Sequence, residues 1–242
     1  LFRRGIQGVM MLLALAIVVD GFLGPQLSPM NLAGVLPWIH WRGFVVLALL
    51  IAGNLFCYAC PFMLPRELAR RLGGGRWRWP RALRSKWIAV ALLVAFLWSY
   101  EAFSLWDTPY WTAWIVIIYF TMATAIDAFF RGASFCKYVC PIGQFHFVQS
   151  MVSPLEVQVR NPDACQQCTT LDCIRGNDQH RGCELDLFLP KKRGGLDCTW
   201  CLDCVQACPH DNVGISTRRG STELLDDGWR SSLRRLSGRW DL

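Results

Sequence analysis

In the first half of the chain, apolar residues run together instead of alternating with polar ones. The runs are Gly5 to Gly24, Gly43 to Leu64, Trp87 to Trp106 and Thr108 to Phe130. Each is near the roughly 20 residues that a helix needs to cross a hydrocarbon core of about 30 Å. In lipid every backbone N–H and C=O must be satisfied within its own segment, so such runs are predicted as helices and not as strands. The chain is too short to hide all of them in a soluble core. Each run has almost no charge, the exceptions being Asp20, Glu101 and Asp127. After Phe135 the pattern changes. Apolar residues shrink to single positions and short clusters, set among cysteine, glycine, proline and charge.

Composition sharpens this division. The 242 residues are 53% hydrophobic and only 18% charged, against about 25% charged in ordinary soluble domains. The net charge of +7 invites a nucleic-acid reading until the positions of the cations are considered. Arg3 and Arg4 precede the first run. Arg66, Arg70, Arg71, Arg76, Arg78, Arg81, Arg84 and Lys86 lie between the second and third, and Arg131 and Lys137 follow the fourth. The other two connections carry only Arg42. Lys and Arg collect on the cytoplasmic side of membrane proteins. Both termini and the cysteine-rich tail are therefore expected in the cytoplasm, with the protein multi-pass in the inner membrane, and no nucleic-acid partner is expected. Trp38, Trp41, Trp106, Trp111 and Trp114 would form an outer aromatic belt, and Trp77, Trp79 and Trp87 an inner one. Asp127 is expected to pair with Arg131 one turn on. The histidines, His40, His146, His180 and His210, all fall outside the runs, so no haem is expected. Leu1 stands where a start methionine would, and the chain reads as a piece of a longer protein.

The sharpest chemistry is Cys198-Thr-Trp-Cys201-Leu-Asp-Cys204-Val-Gln-Ala-Cys208-Pro209. This is the C-x2-C-x2-C-x3-C-P run of bacterial ferredoxins, in which the fourth cysteine ligates the other cluster. Upstream stand Cys165, Cys168, Cys173 and Cys183. Exchange of fourth ligands then gives Cys165, Cys168, Cys173 and Cys208 as the ligands of one [4Fe–4S] cluster. Cys198, Cys201, Cys204 and Cys183 would hold the second. The first half departs from the usual run. Four residues separate Cys168 from Cys173, an insert spans Arg175 to Gly182, and Glu184 stands where proline is usual. The insert reads as a surface loop with a solvated His180. Ile174, Val205, Val213 and Ile215 are expected to pack as the apolar shell around the clusters.

Two further pairs are Cys57-Tyr-Ala-Cys60-Pro61 and Cys136-Lys-Tyr-Val-Cys140-Pro141. Spacings of three and four would put each pair on one helix face. Cys57, Cys60, Cys136 and Cys140 read as a third metal or iron–sulfur centre or a redox thiol set; the alternative is that they are small hydrophobes. The run Gly73 to Gly75 reads as a flexible link, and residues 218–242 as a basic amphipathic tail.

With these motifs on one chain, the sequence resembles the membrane-bound polyferredoxins. That family includes the quinol-dehydrogenase subunit of periplasmic nitrate reductase systems, the nitrous-oxide-reductase regulator and electron donor, and the cytochrome-oxidase assembly ferredoxin. The expected fold is an α-helical membrane protein of four transmembrane helices plus a small α+β two-cluster bacterial-ferredoxin-like domain. Its expected parts are residues 1–134 (transmembrane domain with the CxxCP motif), 135–160 (membrane-rim CxxxCP segment and linker), 161–217 (ferredoxin-like domain) and 218–242. The resemblance implies single-electron relay between a quinone pool or cytoplasmic donor and a partner redox enzyme, within a complex of membrane redox subunits. A flavin is not expected, because no flavin-binding domain accompanies the motifs. The alternatives are a thiol or iron–sulfur metal reductase or assembly factor, and an iron–sulfur redox sensor. No catalytic nucleophile–base set or phosphate-binding glycine loop is visible, so an electron-transfer subunit is expected rather than a stand-alone enzyme.

Overall fold

The computed structural model describes residues 2–71, 75, 77–192 and 194–221. Helix α1, Phe2–Leu23, covers the first apolar run. Helix α2, Leu32–Ala52, has a π-helical stretch at Leu36–Trp41, where Pro37 withdraws a backbone donor. Its start is capped twice. The Asn31 side chain accepts the Ala33 N–H at 2.8 Å, and the Asp20 carboxylate accepts the Leu32 N–H at 2.6 Å. Asp20, a charge near the end of the first run, thus serves the beginning of the second helix.

The second run is the one whose limits change most. Expected over Gly43 to Leu64, the membrane-length helix instead occupies Leu32–Ala52. Gly53, at φ +71°, ends it in a conformation that favours glycine. Two short helices follow, α3 at Leu55–Ala59 and α4 at Met63–Arg71. Helix α5, Trp87–Ala102, has 16 residues, about 24 Å at 1.5 Å per residue, and so stops short of the expected Trp106. Phe103 leaves helical geometry and Ser104 turns left-handed, at φ 47°. Helix α6, Pro109–Phe129, opens on a proline that the first turn tolerates. Among the described residues three helices, α1, α2 and α6, are long and apolar enough to cross a membrane.

The chain forms two compact units, Leu1–Leu47 with Ala59–Pro141, and Ala48–Tyr58 with Ile142–Leu242. In the first, α1, α4 and α6 pack on one another. A Cβ on Gly21 would lie 2.8 Å from that of Ala113, so small residues set the close approach of α1 to α6. Val9, Leu12, Leu15, Val94 and Ile118 face outward, which suits lipid.

The second unit holds helix α7, Pro141–Gln149, whose first residue closes the other unit. It also holds strand β1, Leu155–Val159, and helices α8, Pro162–Gln166, and α9, Asp172–Arg175. Helix α10, Asp203–Ala207, and strand β2, Val213–Thr217, complete it. The strands pair antiparallel, from Leu155 opposite Thr217 to Val159 opposite Val213. The stretch expected as linker up to residue 160 therefore supplies half of the sheet. Its core is Val157, Leu189, Cys198, Trp200, Cys204 and Val213. Of the expected shell, Val213 is buried and Val205 packs against this core, but Ile215 is 51% exposed. Gly73 and Gly74, and the tail from residue 222, lie outside the described residues.

Candidate metal centres

Each half of the tail repeats one local construction. Leu171-Asp172-Cys173 and Leu202-Asp203-Cys204 both begin with a left-handed leucine, at φ 55° and 60°. Both then enter a short helix, α9 or α10, and these two helices pack together. The longer gap of the first half is taken up by Thr169 and Thr170, ahead of the repeated unit.

The thiols sort by mutual proximity. Burial raises the pKa of Cys165, against a hydrogen bond from the Asn212 amide, and Cys208 and Cys168 add to the rise. Cys173 is pushed up to about 11 by burial, with Cys208, Cys165 and Cys168 contributing. The backbone N–H of Leu171 and the Thr170 hydroxyl hold Cys168 below the ordinary value. In the other group, burial pushes Cys183 up to about 11, opposed by the N–H groups of Leu187 and Leu185 and reinforced by Cys198. Cys201 is raised by burial, then by Glu184, Asp203 and Cys183. Cys204 is raised by burial, then by Cys183 and Cys198, while Lys192 opposes. Cys204 also feels Cys173, so the two groups are neighbours. Cys183, displaced in sequence by the insert, is brought to the second group, and the Cys183 N–H donates to the Cys173 carbonyl at 2.8 Å. The insert itself is an exposed loop. Asn177 Oδ1 gathers the N–H groups of Gln179 and His180, and His180 is solvent-facing.

The donors suit an iron–sulfur cube. All twelve cysteines are free thiols. The Asn212 backbone N–H donates to Cys208 Sγ and its Nδ2 to Cys165 Sγ, each at 3.4 Å. Donors aimed at sulfur favour the charged thiolate and tune a cluster's potential. Among the described residues, no three His, Cys, Asp or Glu converge closely enough for a single metal ion. A cube of four irons lies between its thiolates and holds them further apart than one ion does. The second group, Cys183, Cys198, Cys201 and Cys204, is buried, and the first is half-buried.

The two remaining pairs do not each form one helix face. Cys57 lies in α3 and Cys60 just beyond its end. Cys136 lies in a π-helical turn, Phe135–Val139, and Cys140 is extended, at ψ 107°. Each second cysteine precedes a proline, which disfavours helical geometry at that position. Cys57 belongs to the second compact unit, and Cys60, Cys136 and Cys140 to the first. Beside Cys136 is a residue that the sequence placed in a basic loop. Arg66, on α4, donates from Nη1 to Cys136 Sγ at 3.3 Å, and its Nε lies 2.8 Å from Asp127 Oδ2. Asp127 Oδ1 also accepts the Phe135 N–H at 3.0 Å. The expected partner, Arg131, instead donates from Nε to the Gly75 carbonyl at 3.2 Å. The only sequence signal for Arg66 was that a buried Asp127 would need a cation from somewhere.

No protein-family model matches the chain, and no solved structure matches it. Among curated proteins it is 26% identical over 227 residues to YccM of Escherichia coli, named as an electron transport protein. It is 28% identical over 206 residues to the regulatory protein NosR of Pseudomonas aeruginosa, and 27% over 228 residues to the protein RdxA of Cereibacter sphaeroides. These alignments cover 79%, 74% and 78% of this chain, but the chain spans 61%, 27% and 44% of the relatives' own lengths. The resemblance drawn from the motifs thus holds at the level of sequence. The names of the relatives point to electron transport or redox-related regulation.

Proposed function

We propose that the chain is a membrane-bound iron–sulfur electron carrier that relays single electrons between a quinone pool or cytoplasmic donor and a partner redox enzyme. The observation that carries this reading is the sorting of the eight tail thiols into two neighbouring quartets, each completed by a cysteine from the other half. Cys165, Cys168, Cys173 and Cys208 would hold one [4Fe–4S] cluster, and Cys183, Cys198, Cys201 and Cys204 the other. Such a cluster, once bound, takes up and returns one electron at a time. Val157, Leu189, Trp200 and Val213 keep water from the second quartet. The Asn212 donors and the N–H groups of Leu171, Leu185 and Leu187 stabilise negative charge on sulfur. The half-buried first quartet is the natural side for a partner protein.

In this reading the anchor has four spans, with the short α5 accommodated by local bilayer thinning. The arginine distribution supports a cytoplasmic tail. The test is iron content and low-temperature EPR of the anaerobically reduced protein. Two clusters give about eight irons per chain and a magnetically coupled [4Fe–4S] spectrum. Fewer than about six irons and an uncoupled spectrum would sink the proposal.

The contact of Arg66 with Cys136 supports a second reading, in which the CxxCP and CxxxCP thiols reduce a metal ion. Replacing Cys136 with Ser would then abolish metal-ion reduction while both tail clusters stay intact. Unchanged reduction removes the idea.

A further inference from the structure

The break after the second membrane-length helix lies in the same compact unit as the ferredoxin run, and the two touch. Asn54 is fully buried, and its Nδ2 donates to the Cys198 carbonyl at 3.1 Å. A Cβ on Gly53 would sit 2.9 Å from Trp200 Nε1 and 3.1 Å from Cε2, so the indole closes directly on glycine backbone. Trp200 is 5% exposed.

The loop needs this support. Asp197, Trp200 and Leu202 all hold positive φ, at 63°, 54° and 60°. A non-glycine residue in that region costs on the order of 1–3 kcal/mol and persists only where its surroundings over-determine it. A loop bent so often also has no regular ladder to satisfy its carbonyls, and a buried carbonyl must be paired. Asn54 supplies the donor for the carbonyl of the first ligand in the run. Gly53 supplies the space for the strained tryptophan between the first and second ligands. Gly53 also ends helix α2, so one residue sets both where that helix stops and where the loop rests. The first quartet draws its polar support from elsewhere, through Asn212 on Cys165 and Cys208.

We propose that Gly53 and Asn54 are positioning residues for the second cysteine quartet, tying the Cys198–Cys204 loop to the end of a membrane-length helix. The proposal rests on the two-cluster reading. It makes the second quartet the one whose properties respond to the α2 terminus, while the first responds to Asn212.

The test uses the full chain, purified anaerobically in detergent, with EPR and a potentiometric titration of each cluster. Asn54→Leu and Gly53→Ala should alter the g-values or midpoint potential of one cluster and leave the other unchanged, at undiminished iron content. Asn212→Leu should alter the other cluster. Adding Trp200→Phe to Gly53→Ala withdraws the atoms that the new methyl meets but not the strain of alanine at φ +71°, and should restore the signal part of the way toward that of the parent. The idea is overturned if Asn54→Leu and Gly53→Ala leave both signals as in the parent. It is also overturned if they shift the same cluster as Asn212→Leu. Should Asn54→Leu fail to fold, Gly53→Ala and its rescue decide the matter alone. A parent chain without two [4Fe–4S] signals overturns the two-cluster reading itself, and this inference with it. Two signals that ignore the Gly53 and Asn54 variants overturn the inference alone.

Discussion

Removing one partner of the Arg66–Asp127 pair should cost far more than removing both. The pair is 2.8 Å apart, with the side chains only 2% and 0% exposed. At an effective dielectric of about 20, unit charges at that distance attract by roughly 6 kcal/mol before desolvation is counted. Desolvation of two buried ions offsets most of this, so the intact pair contributes little net stability. Asp127→Asn, however, leaves a buried guanidinium without its compensating carboxylate charge and weakens the bond from Phe135 N–H. The expected loss is about 3–5 kcal/mol, or a fall in Tm of about 6–20 °C for a chain of this size. Arg66→Met should cost a similar amount. The double variant Arg66→Met with Asp127→Leu should recover most of it, while Arg131→Met should change Tm by little, since Arg131 binds the Gly75 carbonyl. The assay is thermal unfolding of the detergent-solubilised protein, read as a double-mutant cycle. Additive losses from Arg66→Met and Asp127→Leu, or a large loss from Arg131→Met, would refute the assignment.

Other outcomes follow from single residues. Cys183→Ser should lower iron from about eight toward about four per chain and turn the coupled spectrum into the uncoupled signal of the first cluster alone, as seen by iron assay and EPR. Lys192 is buried, and its Nζ donates to the carbonyls of Val157, at 2.8 Å, and Gly194. Lys192→Met should cost roughly 1–3 kcal/mol for each carbonyl left unpaired; loss of a cation beside Cys204 should also lower the second cluster's potential in a redox titration. His146 is buried against Phe56, and burial pushes its pKa down to about 4. Above about pH 6.5 the neutral ring costs nothing. As pH falls from about 6.5 to about 4, the unfolded chain takes up a proton that the folded chain refuses, and about 3 kcal/mol is lost. Tm measured across that window should fall in the parent and stay flatter in His146→Phe.

The candidate site was legible in the sequence as local spacing. Cys198 to Cys208 carry the ferredoxin pattern within eleven residues, and an exchange of fourth ligands belongs to that pattern. The repeated Leu-Asp-Cys unit was also present in the sequence, and it absorbs the irregular gap before Cys173. Long apolar runs likewise declare membrane-length helices, since length and hydropathy are properties of a segment alone. Their limits were less secure. The second helix moved by eleven residues at its start, since an N-cap at Asn31 and a left-handed Gly53 set its ends, and both depend on geometry that hydropathy does not contain.

Sequence alone determined which residue types are present, how they are spaced, and where water is excluded from the backbone. Tertiary structure decided the partners. Asp127 faces a guanidinium 61 positions away and not the arginine one turn on. Residues 155–159 become a strand because Val213–Thr217 offers them a ladder. Asn54 reaches a carbonyl 144 positions away. Spacing along a chain fixes neighbours within a few residues. A buried charge, strand edge or carbonyl is satisfied by whichever group the folded backbone brings to it, and that is a property of the whole fold.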